Sequence, residues 1–254
     1  MTARIRDLAV RSTMPLLDGV CLDLEPSTVT VLLGPSGAGK STLLRACLDL
    51  LPAGLQRVGG TFEWAGIDFF ELDSKAQRAR RGAELSWVPQ EPLRAFHPML
   101  RIETQVAEVV RAHRREPWAC CRRWARQALE AWDFPMSRAR QIPSRLSGGE
   151  LRRAALAAAF VLDARWVLLD EPTTGLDAAT AEHWVERFEK RVARGVGALL
   201  VTHDVDLARR VAHRVAYLCG GRLEETGEAR LLKAPRTEGL RRFLGLAAQG
   251  PHTA

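Results

Sequence analysis

Gly34-Pro35-Ser36-Gly37-Ala38-Gly39-Lys40-Ser41 fits the pattern G-x-x-x-x-G-K-[ST], the loop with which nucleotide hydrolases cradle phosphates. Glycine lacks the Cβ that would keep backbone and phosphate oxygens apart. Lys40 is placed to reach the β/γ-phosphates, and the Ser41 hydroxyl to ligate Mg²⁺. Thr42 follows in the first turn of the helix, whose positive end faces an anion. The flanks support this reading. Thr28 to Leu33 is apolar and β-branched, like a buried strand. Ser41 to Leu48 reads as a helix that stops before Pro52 and Gly54. Strand, loop, helix is the context the pattern requires.

The chain has 254 residues, 46% of them apolar. That is enough for one large α/β domain with an inserted lobe and a packed core. The longest strongly apolar stretch, 154–162, is too short to span a bilayer. The start, Met1 to Asp7, lacks the apolar run of a secretory signal. A cytoplasmic protein that reaches a membrane through a partner is expected. Net charge is +7, and 33 of the 37 basic residues are Arg. Arg111, Arg114, Arg115, Arg122, Arg123 and Arg126 form the densest cluster, expected on solvated helix faces. The five cysteines are scattered, contain no C-x-x-C pair and read as free thiols.

Residues 4–10 and 19–24 alternate like half-exposed antiparallel strands, and 61–64 and 84–88 continue the theme. After Pro89 the period becomes helical over 103–113 and 117–132, with Pro117 expected in a first turn and Trp118, Trp124 and Trp132 expected in the core. Arg165 to Leu169 and Gly197 to Val201 read as buried strands separated by helical stretches. The expected fold is α/β: a phosphate-loop NTPase core with a mostly parallel sheet, an N-terminal antiparallel β subdomain and an inserted α-helical lobe. The boundaries read as a single domain over 1–254, with core and β subdomain at 1–90 and 159–230, the lobe at 91–158 and a C-terminal tail at 231–254.

Val167-Leu168-Leu169-Asp170-Glu171 is an apolar strand ending in two acids. Behind a phosphate loop, Asp170 is placed to hold Mg²⁺ and Glu171 to activate an attacking water. Helix capping is the alternative role for such acids. Leu146-Ser147-Gly148-Gly149-Glu150 opens a helix-like run, 151–162. It reads as an anion-binding terminus or as a cap in which Ser147 and Glu150 bond reciprocally. Gln90 follows a strand, and His203 follows the strand ending Val201-Thr202.

In this order the segments resemble the ATP-binding cassette (ABC) ATPases. Gly34 to Ser41 matches Walker A, Gln90 the Q-loop, Leu146 to Glu150 the signature motif and Val167 to Glu171 Walker B. Gly175-Leu176-Asp177 matches the D-loop and His203 the switch histidine. Two departures stand out: Glu150 replaces the usual Gln, and no aromatic residue lies at 11–16 to stack on adenine. Leu51 to Leu55, Gln90 to Pro98 and Pro235-Arg236-Thr237 look like the nickel, dipeptide and oligopeptide importer branch, with the nickel-type subunit closest.

The resemblance implies ATP and Mg²⁺ as ligands. Lys40, Gln90, Glu171 and His203 would be catalytic, and Ser41, Gln90 and Asp170 would surround the metal. Gly34, Pro35, Ser36, Gly37, Ala38, Gly39, Lys40, Ser41 and Thr42 would bind ATP, and Ser147, Gly148, Gly149 and Glu150 would act on ATP held by a partner subunit. It also implies a second ATPase subunit, identical or different, two permease subunits and, indirectly, an extracytoplasmic binding protein. The location would be the cytoplasmic face of the inner membrane, with no nucleic acid partner. A soluble ABC ATPase acting on nucleic acid or ribosomes, or an exporter ATPase, remains the alternative; the 90–98 segment favours the importer.

Overall fold

The structure, a computed structural model, describes residues 2–246. The last part of the expected tail, 247–254, lies outside the described residues. In chain order the elements are β1 (Ala3–Arg11), β2 (Pro15–Leu24), β3 (Val29–Leu33), α1 (Lys40–Cys47), β4 (Gln56–Trp64) and β5 (Ile67–Asp68). Next come α2 (Ser74–Arg80), β6 (Leu85–Val88), α3 (Ile102–His113), α4 (Trp118–Ala131), α5 (Gly148–Phe160) and β7 (Trp166–Asp170). The remainder are α6 (Ala178–Ala193), β8 (Gly197–Val201), α7 (Val205–Val211), β9 (Arg214–Cys219), β10 (Arg222–Glu228) and α8 (Glu238–Phe243). The chain forms two compact units, one of residues up to Glu71 and from Leu199 on, the other Leu72–Ala198.

The first unit contains the antiparallel sheet, in the order β2-β1-β4-β5. Ile5 pairs with Leu22 on one side and Phe62 on the other. Ile5, Leu8 and Val10 all face the core, although a strict two-residue period would turn Leu8 outward. A bulge corrects this: Asp7 adopts φ 46, and the register shifts between Ile5 and Leu8. Opposite it, a Cβ on Gly60 would fall 2.5 Å from the Leu8 Cα, so the bulge requires glycine. The Trp64 ring packs on Phe62 and on Phe69, with centroids 5.2 and 5.3 Å apart.

In the same unit β9 pairs parallel with β3 and antiparallel with β10. All five β3 residues are buried, as parallel strands covered on both faces are. β10 is an edge strand. Its Glu225 carboxylate accepts from Arg236 N (2.9 Å) and Nε (3.1 Å) and from Thr237 N (2.9 Å) and Oγ1 (2.7 Å). Burial pushes the Glu225 carboxyl up, but the bonds from Thr237 and Arg236 outweigh it and hold the group below its ordinary range. Arg236 Nη2 also donates to the Thr226 carbonyl at 2.9 Å. These contacts lead the chain into α8, whose Leu240 is buried.

The second unit pairs β6 parallel with β7, Val88 opposite Leu169. Val106, Ala107 and Val110 of α3 and Cys121, Ala125 and Leu129 of α4 are buried at helical spacing. Pro117 is the N-cap of α4, one residue ahead of the expected first turn. Trp132 is core, with its ring 5.1 Å from Phe160. Trp118 and Trp124 are only half-buried, unlike the expectation, and it is the guanidinium groups of Arg111 and Arg114 that lie over their rings, 5.8 and 4.1 Å from the centroids. The six clustered arginines are exposed, as expected, and Arg122 and Arg126 also pair with buried Glu103, at 2.9 and 3.4 Å. α5 is buried along most of its length by Leu151, Ala154, Ala155, Leu156, Ala157, Ala159 and Phe160. One charged side chain, Arg152, is buried with them.

Candidate functional site: a phosphate loop and a carboxylate corner

Each unit carries part of the chemistry, and each part has its own construction. In the first unit the loop between β3 and α1 is shaped by glycine. A Cβ on Gly34 would sit 2.1 Å from the Leu218 carbonyl oxygen, and one on Gly39 would sit 2.8 Å from Leu17 Cδ2. Gly37 and Gly39 have φ of 79° and 100°, a region that L side chains rarely enter. Gly39 is the N-cap of α1 and offers no side chain to bond the first-turn amides. The first-turn amides of a helix lie at its positive end, an arrangement that accepts anions. Pro35, Ser36 and Gly37 are exposed, Ala38 is buried, and Ser41 and Thr42 are half-buried.

Lys40 Nζ donates to the Gly34 and Pro35 carbonyls, both at 2.8 Å. The ammonium is thus held over the loop by its own backbone. Its charge is ready for phosphate oxygens, so little rotamer freedom is lost on binding. In this unit the last three residues of β8, 199–201, lead through buried Thr202 to exposed His203. The Thr202 hydroxyl accepts from Asp204 N at 3.0 Å, and Asp204 caps α7. His203 is therefore fixed at a strand-to-helix corner.

In the second unit β7 ends in Asp170, 1% exposed, and Glu171, 7% exposed. Two acids so deep must be partnered or bind a cation. Glu171 turns the chain with φ 51, a left-handed conformation costing roughly 1–2 kcal/mol for a residue with a Cβ. Its carboxylate accepts from Thr174 Oγ1 at 3.3 Å. It caps no helix: the N-cap of α6 is Asp177, which accepts from Thr180 N at 2.9 Å.

Arg152 reaches this corner from α5. Its Nη1 donates to the Glu171 carbonyl at 2.6 Å, and its Nη2 donates to the Gln90 carbonyl at 3.1 Å. Burial pulls the Arg152 pKa down, while Glu171 and Asp170 push it back up. A charge-assisted bond of this kind contributes about 1.5–3 kcal/mol, enough to offset the left-handed turn. Sequence reasoning missed Arg152. Its signal was a cation inside an Ala- and Leu-rich helix, where an unpaired charge would be untenable.

Gln90 itself is exposed, after β6 and Pro89. At the start of α5 both bonds of a capping box are present: Ser147 Oγ accepts from Glu150 N at 3.2 Å, and Glu150 Oε2 accepts from Ser147 N at 2.7 Å. Arg138 Nε lies 3.4 Å from Glu150 Oε1. Nothing lies within 4 Å of where a Cβ on Gly148 would be, so the backbone is open at that residue.

The residues fit a magnesium nucleotide. A glycine cradle with a tethered lysine suits the triphosphate. Within each unit there are oxygen donors of the kind Mg²⁺ prefers: the Ser41 hydroxyl in the first, and the Gln90 amide and the Asp170 carboxylate in the second.

A strand, a glycine loop with a tethered lysine, and a second strand ending in buried acids define a phosphate-loop nucleotide-binding protein. A family model described as ABC transporter matches residues 17–174. The chain belongs to that family. It is 30% identical over 237 residues to the dipeptide transport ATP-binding protein DppD of Bacillus subtilis, covering 90% of this chain and 70% of the relative. It is 32% identical over 232 residues to the peptidoglycan transport ATP-binding protein YejF of Agrobacterium fabrum, covering 88% of this chain but 42% of the relative. Against the oligopeptide transport ATP-binding protein OppD of Mycobacterium tuberculosis, 32% identical, it covers 82% of itself and 34% of the relative. The chain thus spans less than half the length of two of these relatives. Among solved structures, a dimer of the ATP-binding cassette MJ0796 in a post-hydrolysis state bound to ADP and Pi matches with a TM-score of 0.81 and 26% identity, over 90% of this chain and 99% of that one.

Proposed function

We propose that this chain is the ATP-hydrolysing subunit of an importer for short peptides, working beside a second ATPase subunit beneath two permease subunits. The observation that carries the reading is the Lys40 ammonium held at 2.8 Å over a loop whose Gly34 and Gly39 leave no room for a Cβ. Among the described residues no helix is long and apolar enough to cross a membrane, which suits a peripheral subunit at the cytoplasmic face of the inner membrane. The peptide names of the relatives favour peptides over nickel as the cargo.

In this reading Lys40 and the loop amides neutralise the phosphate oxygens. The family resemblance assigns Mg²⁺ to Ser41, Asp170 and Gln90, which would hold it, and the ion would supply positive charge to the phosphates. The Glu171 carboxylate takes a proton from water as the water oxygen bonds to the γ-phosphorus and the bond to ADP breaks. His203 orients the γ-phosphate. Ser147, Gly148, Gly149 and Glu150 present the α5 terminus to ATP held by the partner subunit, the role that the family resemblance implies for them.

Glu171→Gln is the test. It keeps size and hydrogen bonding but removes the base. Hydrolysis should stop while ATP still binds, and the ATP-bound dimer should accumulate on size-exclusion chromatography with MgATP. A mutant that turns over normally and shows no ATP-dependent shift removes Glu171 from the mechanism. For the cargo, short peptides rather than Ni²⁺ should raise the ATPase rate of the reconstituted permease complex.

A further inference from the structure

The carbonyls of Gln90 and Glu171 lie in distant stretches of the chain, yet one side chain holds both. Arg152 is 5% exposed and donates from Nη1 to one carbonyl at 2.6 Å and from Nη2 to the other at 3.1 Å. A guanidinium is planar and rigid, so its terminal nitrogens cannot move independently. The two backbone segments are therefore tied to a common body. That body is α5, the helix whose N-terminus carries Ser147, Gly148, Gly149 and Glu150. Arg152 sits about one turn beyond that terminus.

We propose that Arg152 is a positioning residue that makes the placement of Glu171 and of the Gln90 loop follow the position of α5, so that engagement of the α5 terminus sets the water-activating group. The inference rests on the reading that Glu171 activates water. Several features support it. Glu171 is held in a left-handed conformation, φ 51, that its Cβ disfavours. The bond that secures its carbonyl is charge-assisted and dry, and no shorter polar side chain at position 152 would span to both carbonyls. A shift of α5 cannot leave the corner in place without breaking one of the two bonds. A helix merely packed by alanine and leucine would transmit no such constraint.

The test uses the full chain with its partner ATPase subunit and compares Arg152→Lys, Arg152→Gln and Arg152→Met. Loss of the fork should lower kcat for ATP at least 20-fold in the Gln and Met variants. KM for ATP should stay within 3-fold, because the phosphate loop is untouched. Lysine keeps the charge and a single donor nitrogen that can still reach one carbonyl, so it should recover kcat to within about 5-fold of wild type. Glu171→Gln is measured alongside. If Glu171→Gln is inactive while folded Arg152→Met keeps kcat within 3-fold of wild type, the positioning role is overturned and the Glu171 reading stands. If Glu171→Gln is active, the Glu171 reading itself falls. If kcat and ATP affinity decline together and lysine rescues neither, Arg152 is a packing residue and the proposal is overturned. Should Arg152→Met fail to fold, the Lys and Gln variants decide by the same criteria.

Discussion

The phosphate loop and the carboxylate corner place charged groups with comparable care, by opposite means. The loop is built from what is missing: Gly34 and Gly39 fit because a Cβ would meet Leu218 O at 2.1 Å and Leu17 Cδ2 at 2.8 Å. Its lysine is held by carbonyls five and six residues away in sequence. The corner is built from what is added. A residue with a side chain, Glu171, occupies a left-handed turn, and an arginine nineteen residues upstream secures it. The loop thus depends on local steric permission, the corner on a long-range charged bond. Mutations should hurt the loop through crowding and the corner through lost bonding.

Lys40→Ala is the sharpest cut. Removing the ammonium should lower ATP turnover on the order of 100-fold or more, as loss of a charge-stabilising donor does. Steady-state phosphate release by the folded mutant near the wild-type rate would break the equivalence of loop and corner as charge-placing devices. Within the loop, Gly34→Ala and Gly37→Ala separate crowding from conformation. The first drives a Cβ into backbone, whereas nothing lies within 4 Å of a Cβ at Gly37. Denaturant melts should show Gly34→Ala costing about 3 kcal/mol or more. Gly37→Ala should cost about 1–2 kcal/mol from its positive φ alone. Equal costs would mean that the loop relaxes and that its glycines serve φ only. The smallest effect is expected at α5. Ser147→Ala removes one bond of the capping box and should cost about 1 kcal/mol. Glu150→Gln, which keeps the reciprocal bond, should stay within about 0.5 kcal/mol. Thermal melts without nucleotide read both, and a larger loss for Glu150→Gln would point to its 3.4 Å contact with Arg138.

The same contrast explains what could be read before the structure. The loop is legible because its requirements are local: glycines in register, a lysine and a hydroxyl, between a buried strand and a helix. β1, β3, β6 and α3 were likewise visible through period. The β9–β10 hairpin went unread, although Gly220 and Gly221, at φ 53 and 79, mark its turn. The Asp7 bulge hid inside an apparent alternation, since a three-residue step from Ile5 to Leu8 looks like noise in a two-residue pattern. Asp170 and Glu171 were found from their place at a strand end. What holds Glu171 was not, because Arg152 acts across a sequence gap that no local period records. Trp118 and Trp124 misled for a related reason: helical spacing predicts a face but not the arginines that stack on it.

Arg236 has a consequence for how the protein behaves in a crowded solution. Its guanidinium occupies the Thr226 carbonyl on the outer side of β10. An edge strand with open acceptors is a template on which a strand of another chain can grow. Here one rung of that template is already taken by a charged side chain, and the Glu225 carboxylate clamps the arginine in place. The same few atoms that lead the chain into α8 therefore act as a gatekeeper against edge-to-edge association.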